Sequence, residues 1–156
     1  MCLGQVSHYD ILYAVNQLAR AISKPSKAHM AAANNLLRCL AGTVDSVITY
    51  KEGDFKLTEF SDANWANNPD NGTSTSSFIV VLANAPISLK VGLQGLMAQS
   101  TMEAELVVAA LAMKEAVFFS NMMEQLGFGT RSDSVLLIPT TPRLSTSPKI
   151  RLTVRE

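Results

Sequence analysis

Apolar residues recur at three- and four-residue steps in the first part of the chain, a spacing typical of helices with one buried stripe. One such stripe runs over Asp10–Ile22. A second begins after Lys24-Pro25, where Ser26 can cap a helix, and it ends at Gly42. The sequence therefore predicts two consecutive helices separated by a short break.

Strand-like segments follow these helices. They are Val44–Tyr50, Phe55–Ser61, Ser77–Ala83 and Ile87–Val91, separated by turn residues at Lys51–Asp54, Asn67–Thr73 and Ala85-Pro86. Because the last three are joined by short connections, we expect them to form an antiparallel meander.

A long helix is predicted after the meander. Ser100-x-x-Glu103 is a capping-box pattern, and an apolar stripe continues to Leu126 before Gly127. The apolar run Ser134–Ile138 then predicts one more strand, which we expect to pair beside the first strand of the meander.

The order of these elements predicts an α/β fold of the α+β kind. We expect a mixed sheet made of an antiparallel meander and one parallel strand, with the long helix across one face. Residues 1–43 form a helical region and residues 44–138 the sheet domain. Residues 139–156 are rich in Thr, Ser, Pro and Arg without periodicity, so we expect them to be poorly ordered.

Composition narrows the class of protein. The 156 residues are 47% hydrophobic and 17% charged with zero net charge, which is typical of a globular protein without a general attraction to nucleic acid. Two cysteines and two histidines give neither a disulfide framework nor a zinc spacing. We find no signal-peptide pattern and no apolar stretch of membrane-spanning length, so we expect an intracellular protein, cytoplasmic or nuclear, without a membrane partner.

Two acidic residues stand where carboxylates can converge. Asp62 follows the predicted strand Phe55–Ser61, and Glu105 lies near the start of the long helix. If strand and helix pack together, these carboxylates can share a divalent cation, since hard cations prefer oxygen ligands. Glu103 competes for the helix position, but a capping-box role already explains it.

An ordered series of short motifs resembles one protein family. The motifs are DILYAVN at Asp10–Asn16, LAGT at Leu40–Thr43, FSDANWA at Phe60–Ala66, STS at Ser74–Ser76, PIS at Pro86–Ser88 and STMEAE at Ser100–Glu105. From Asp10 to Phe128 the chain resembles the end of a copia-type retrotransposon polyprotein, where the reverse-transcriptase region is followed by ribonuclease H. The resemblance implies a fragment of a longer polyprotein and a truncated ribonuclease-H-like fold.

The resemblance also implies roles for particular residues. Asp62 would be the first-strand acid and Glu105 the helix acid of a Mg²⁺-dependent catalytic site that hydrolyses the RNA strand of an RNA–DNA hybrid. In the family a third acid ends the strand after the long helix. Here Pro139 occupies that position, and Asp133 lies at the opposite end of the strand. We therefore expect the two-metal site to be incomplete.

Other departures from the family bear on the substrate and the tail. Basic residues usual in the family are missing near Gly72 and Val91, which predicts weak, salt-sensitive hybrid binding. We expect Trp65 to be buried beside the meander rather than to stack on bases. Suitable codons for a peptide common in the family, read one base out of phase, spell Thr140–Pro148, so we hypothesise a frameshift from about Pro139.

Two functions stay open at this point. The first is a retrotransposon-derived ribonuclease H domain that is degenerate in this chain. The alternative is a non-catalytic transposon-derived protein, inert or reused as an interaction or effector protein, for which the sequence indicates no particular protein partner. The number of acids distinguishes them, because Asp62 and Glu105 alone can hold one ion weakly but not a two-metal cluster.

Overall fold

The computed structural model describes residues 8–50 and 56–128, together with the backbone of the strands at 135–139 and 150–152. The chain divides into two compact units, Met1–Thr49 and Tyr50–Glu156. The predicted division between residues 43 and 44 falls a few residues earlier than this one.

The first unit is built from helices. They are a 3-10 turn at Tyr9–Ile11, helix α1 (Leu12–Arg20) and helix α2 (Lys27–Gly42). Ser26 caps α2, because its Oγ accepts a hydrogen bond from the backbone N–H of His29, whose ring nitrogen accepts one from the Ser26 N–H. Both predicted helices are confirmed. The first ends slightly earlier than expected, at Arg20, because Pro25 has no N–H to donate to the carbonyl of Ala21 and its ring clashes with that carbonyl in a helix.

The second unit contains a five-stranded mixed sheet. Its strands are β1 (Thr58–Asn64), β2 (Thr75–Leu82), β3 (Ala85–Leu93), β4 (Val135–Pro139) and β5 (Ile150–Leu152). They lie in the order β3-β2-β1-β4-β5; β4 is parallel to β1, and the other neighbours are antiparallel. The predicted fold class is confirmed, and the arrangement is compatible with a truncated ribonuclease-H-like fold.

The connection between β2 and β3 corrects one predicted turn. Ala83 and Asn84 have φ angles of 52° and 60°, and they join the two strands directly. Two consecutive positive φ angles form the two-residue hairpin loop that matches the natural twist of paired strands. The turn predicted at Ala85-Pro86 was therefore placed too far along the chain. Pro86 lies inside β3, opposite Val81 beside a register irregularity, where proline is tolerated.

Two other expectations about strands were wrong. Among the described residues, 44–50 form no strand, and Val44 and Val47 are 73% and 82% exposed. β-branched residues favour a strand only where a sheet edge is available to pair with them. Conversely, Ile150–Leu152 forms β5 inside the tail that was expected to lack regular structure. The free edge of β4 supplies the pairing partner, and the segment alternates apolar, polar and apolar residues.

Helix α3 (Thr101–Gln125) packs across β1 and β2, and we call the sheet face it covers the inner face. The Oγ of Ser100 accepts a hydrogen bond from the Glu103 N–H at the start of the helix, and Gly127 follows its end with a φ of 78°. Both features were predicted. The core between helix and sheet consists of Leu57, Phe78, Val80, Val108, Ala112 and Ala116.

Helix α3 also corrects the expectation about apolar length. Within the described residues it is long and apolar enough to cross a membrane, with a mean hydropathy of 1.5. Only 22% of its most apolar window is buried, because Leu106 and Phe118 face outward at 59% exposure. Ala104, Val108 and Ala112 on the other side are fully buried, which is how a helix packed on a sheet is arranged.

Candidate functional site

Asp62 lies within strand β1 rather than after it. The strand continues to Asn64, and Asp62 is paired with Ser77 of β2. Its side chain is exposed. A carboxylate in this position is hydrated, so it can meet a cation or a substrate from solvent.

Glu105 lies near the start of α3 and is only 6% exposed. The place of this helix turn is fixed by Gln94, whose Nε2 donates to the Oγ of Ser76 and to the carbonyl of Ala104, both at 2.9 Å. Because Ser76 pairs with Ala63, the first turns of α3 lie over the end of β1 that contains Asp62. Helix and strand therefore meet at the predicted end of the sheet.

The two acids approach that end from different sides of the sheet. Phe78 and Val80 contact α3, so their cross-strand partners Ser61 and Glu59 lie on the inner face. Side chains alternate along a strand, which puts Asp62 on the outer face. The fold thus brings Asp62 and Glu105 to one end of the sheet without placing them on one face, and a shared cation would have to lie around that end.

Glu103 and Trp65 have structural contacts of their own. The Oε2 of Glu103 accepts a hydrogen bond from the Gln99 N–H at 2.7 Å, in keeping with a capping role. The Nε1 of Trp65 donates to the Ala98 carbonyl at 2.9 Å, and the side chain is 45% exposed. The expectation that Trp65 would be buried was wrong. The indole instead joins the end of β1 to the segment that precedes α3.

Strand β4 is the strand on which the resemblance implies a third acid. It runs parallel to β1, with Pro139 in register with Ser61, the residue before Asp62. The predicted pairing of this strand is confirmed. Asp133 lies outside the described residues. Within the described part of the chain, no group of three or more His, Cys, Asp or Glu side chains could hold a metal ion.

Glu59 is an acid that the sequence reasoning missed. It lies on the inner face of β1 with no exposed surface, and neither carboxylate oxygen has a hydrogen-bond partner. Burial, with a smaller contribution from the nearby charge of Glu115, raises the pKa of Glu59 from 4.5 to about 7. The sequence did contain a signal. Glu59 lies two residues after the apolar Leu57, so in a strand the two side chains point to the same face.

Comparisons with known proteins agree with the motif series. The chain is 36% identical over 119 residues to the retrovirus-related Pol polyprotein from transposon RE1 of Arabidopsis thaliana, covering 76% of this chain and 8% of that protein. It is 31% identical over 118 residues to the corresponding polyprotein from transposon TNT 1-94 of Nicotiana tabacum, covering 76% and 9%. No protein-family model and no solved structure matches it.

A shorter relative is also similar. The chain is 31% identical over 121 residues to secreted RxLR effector protein 161 of Plasmopara viticola, and the match covers 77% of this chain and 85% of that protein. The match thus extends over most of the length of that relative.

Fold and comparisons together define the class: a mixed α/β domain of transposon origin. Its homologues include retrovirus-related Pol polyproteins of copia-type transposons, which are 31–36% identical to it over 76% of the chain. It spans 8% of the length of the RE1 polyprotein and 9% of the TNT 1-94 polyprotein.

Proposed function

We propose that this chain is a retrotransposon-derived ribonuclease-H-like domain whose ancestral reaction, hydrolysis of the RNA strand of an RNA–DNA hybrid, is low or absent. The observation that carries the proposal is the register of β4. It aligns Pro139 with Ser61, so a residue without a side-chain oxygen stands next to the predicted Asp62 ligand.

The donor set fits one Mg²⁺ better than two. Asp62 and Glu105 supply carboxylate oxygens, which suit a hard cation. When bound, such an ion would activate water and stabilise charge on the leaving oxygen, and the two-ion form of this chemistry needs bridging acids that hold the ions roughly 3.5–4 Å apart. With two acids that start from opposite faces of the sheet, we expect at most one weakly held ion.

Substrate binding is also expected to be weak. The chain has zero net charge, and Gly72 and Val91 stand where the resemblance implies nearby basic residues. Affinity for a nucleic-acid backbone depends strongly on the number of phosphates that cationic side chains neutralise. A hybrid duplex should therefore bind poorly and dissociate at moderate salt.

Hybrid cleavage is the direct test. The full chain should show no cleavage of a labelled RNA–DNA hybrid above background in Mg²⁺ or Mn²⁺. Pro139→Asp should give measurable metal-dependent cleavage, because it restores a carboxylate at the end of β4, in register with the residue before Asp62. Pro139→Asn is the matched control, since it restores the backbone N–H and a similar shape without the charge, and it should stay inactive.

One result would contradict the proposal. Robust Mg²⁺-dependent cleavage by the unchanged chain, abolished by Asp62→Asn, would show that another acid completes the site. Cleavage that persists in Asp62→Asn would instead indicate a contaminating nuclease.

A second candidate is a non-catalytic interaction protein of the same origin. It is favoured by the effector relative, of which this chain covers 85%. The Pro139→Asp experiment separates the two candidates. Gain of cleavage shows a nuclease scaffold that lacks one ligand, whereas continued inactivity of a folded Pro139→Asp variant favours the interaction protein.

A further inference from the structure

Glu59 occupies the middle of the contact between sheet and helix. It is paired across the sheet with Val80 of β2, and Val80 is paired in turn with Ser88 of β3. These residues form one row on the inner face. Glu59 and Val80 in this row have no exposed surface. The carboxyl group of Glu59 is therefore enclosed between β1 and α3, without contact with solvent.

Nothing in this enclosure compensates a negative charge on Glu59. Both of its carboxylate oxygens lack a hydrogen-bond partner. The hydroxyl of Ser88, in the same row, donates to the Oε1 of Glu115 at 3.0 Å instead. An ionised Glu59 would thus be desolvated and unpaired near a second carboxylate, whereas a neutral carboxylic acid loses far less on burial.

The charged groups around Glu59 can be named element by element. Helix α3 contributes Glu115 and, nearer its start, the buried Glu105; its lysine, Lys114, is exposed. Strand β3 contributes Lys90 on the inner face, but this side chain is exposed at the sheet edge. The sequences of β2 and β4 contain no ionisable side chain. On α3 the charge that acts on Glu59 is that of Glu115, and it opposes ionisation of the Glu59 carboxyl.

We propose that Glu59 is a proton-controlled lock on helix α3: the neutral carboxyl lets the helix remain packed on the sheet, and ionisation releases it. The raised pKa of about 7 sets the working range of this lock near neutral pH. Release would move Glu105 away from the end of β1, because both Glu105 and the packed residues Val108 and Ala112 belong to α3. The lock does not depend on nuclease activity.

Amide hydrogen exchange of α3 in the full chain tests the proposal. After correction for intrinsic exchange rates, the opening equilibrium of α3 should increase about tenfold between pH 6 and pH 8, as expected for a carboxyl with pKa values of about 7 in the packed form and 4.5 in the open form. In Glu59→Gln the opening equilibrium should be the same at both pH values. Glu124→Gln, the same change at an exposed position of α3, should retain the full response.

Glu115→Gln keeps the test decisive if Glu59→Gln does not fold. Removing this nearby charge while keeping a partner for Ser88 should reduce the response to clearly less than tenfold. A pH response that is undiminished in these variants would overturn the proposal. Addition of Mg²⁺ or Mn²⁺ at pH 8 gives a second way to overturn the proposal. If the cation restores protection of α3 in the unchanged chain but not in Glu59→Gln, the Glu59 carboxyl binds a metal rather than a proton.

Discussion

Glu59 and Asp62 belong to the same strand, but the two faces of β1 give them opposite surroundings. On the inner face Glu59 has no exposed surface and lies under α3, among residues such as Leu57 and Val80. On the outer face Asp62 is exposed. The carboxyl group on the inner face is therefore enclosed in the core, whereas the one on the outer face is open to solvent. Helix packing, rather than residue type, determines which acid is available to a cation.

The largest expected difference between the faces concerns the core. Phe78→Ala removes a 4% exposed ring from the inner face and should destabilise the fold by about 3–5 kcal/mol. Phe118→Ala removes a 59% exposed ring from the outer side of α3 and should change stability by about 0.5 kcal/mol or less. Urea unfolding measures both variants, and similar losses would show that α3 is not packed as described.

The next largest effect is the pH dependence of stability. The folded pKa of Glu59, about 7, exceeds its ordinary value of 4.5, so the folded state binds the proton more tightly than the unfolded state. The contribution of Glu59 to the free energy of unfolding is therefore complete below about pH 4.5 and is lost as the pH rises through 7. The total loss is about 3 kcal/mol.

Glu59→Leu should remove this fall in urea unfolding measured from pH 5 to pH 8. Its free energy of unfolding should exceed that of the unchanged chain at pH 8, because an apolar side chain has no charge to desolvate. A slope identical to that of the unchanged chain would assign the pH dependence to other groups.

A smaller effect is expected at Gln94, which connects the inner face to the first turn of α3. Gln94→Ala removes donors from the Ser76 Oγ and the Ala104 carbonyl, and it should cost about 1–3 kcal/mol because buried acceptors are left unpaired. Gln99→Ala, at an exposed position, is the control. The intrinsic fluorescence of Trp65 reports the loss of these hydrogen bonds locally, because the indole N–H donates a hydrogen bond to the carbonyl of Ala98 just before the helix.

The smallest effect is expected on the outer face. Asp62→Asn should change the free energy of unfolding by about 0.5 kcal/mol or less, because the side chain is exposed. A large gain in stability at neutral pH would mean that Asp62 experiences strong repulsion from another acid. That result would sharpen the case for a close pair with Glu105.

The elements with strong periodicity were predictable from the sequence. Helix α3 was expected over residues 100–126 and spans Thr101–Gln125, because its capping pattern and terminal glycine mark both ends. Residues 44–50 show the limit of such reasoning. They have strand-forming residues, but whether a strand forms depends on a free sheet edge elsewhere in the molecule.

The candidate site was predictable only in part. The positions of Asp62 and Glu105 at one end of the sheet followed from the motifs and the order of elements. Their origin on opposite faces depends on the register of β1, which runs on to Asn64 instead of ending before Asp62. The burial of Glu59 depends on which face α3 covers, and that choice is made by the packing of Val108 and Ala112 rather than by the strand itself.

Strand β5 has a consequence for how copies of this chain behave toward one another. A sheet edge with free backbone N–H and C=O groups is a template for intermolecular pairing and fibril growth. Because Ile150–Leu152 pairs with β4, the edge on this side of the sheet is a strand of only three residues, and a very short edge strand offers few backbone groups for a second copy to pair with. At the opposite edge, the exposed charge of Lys90 on β3 opposes the same process.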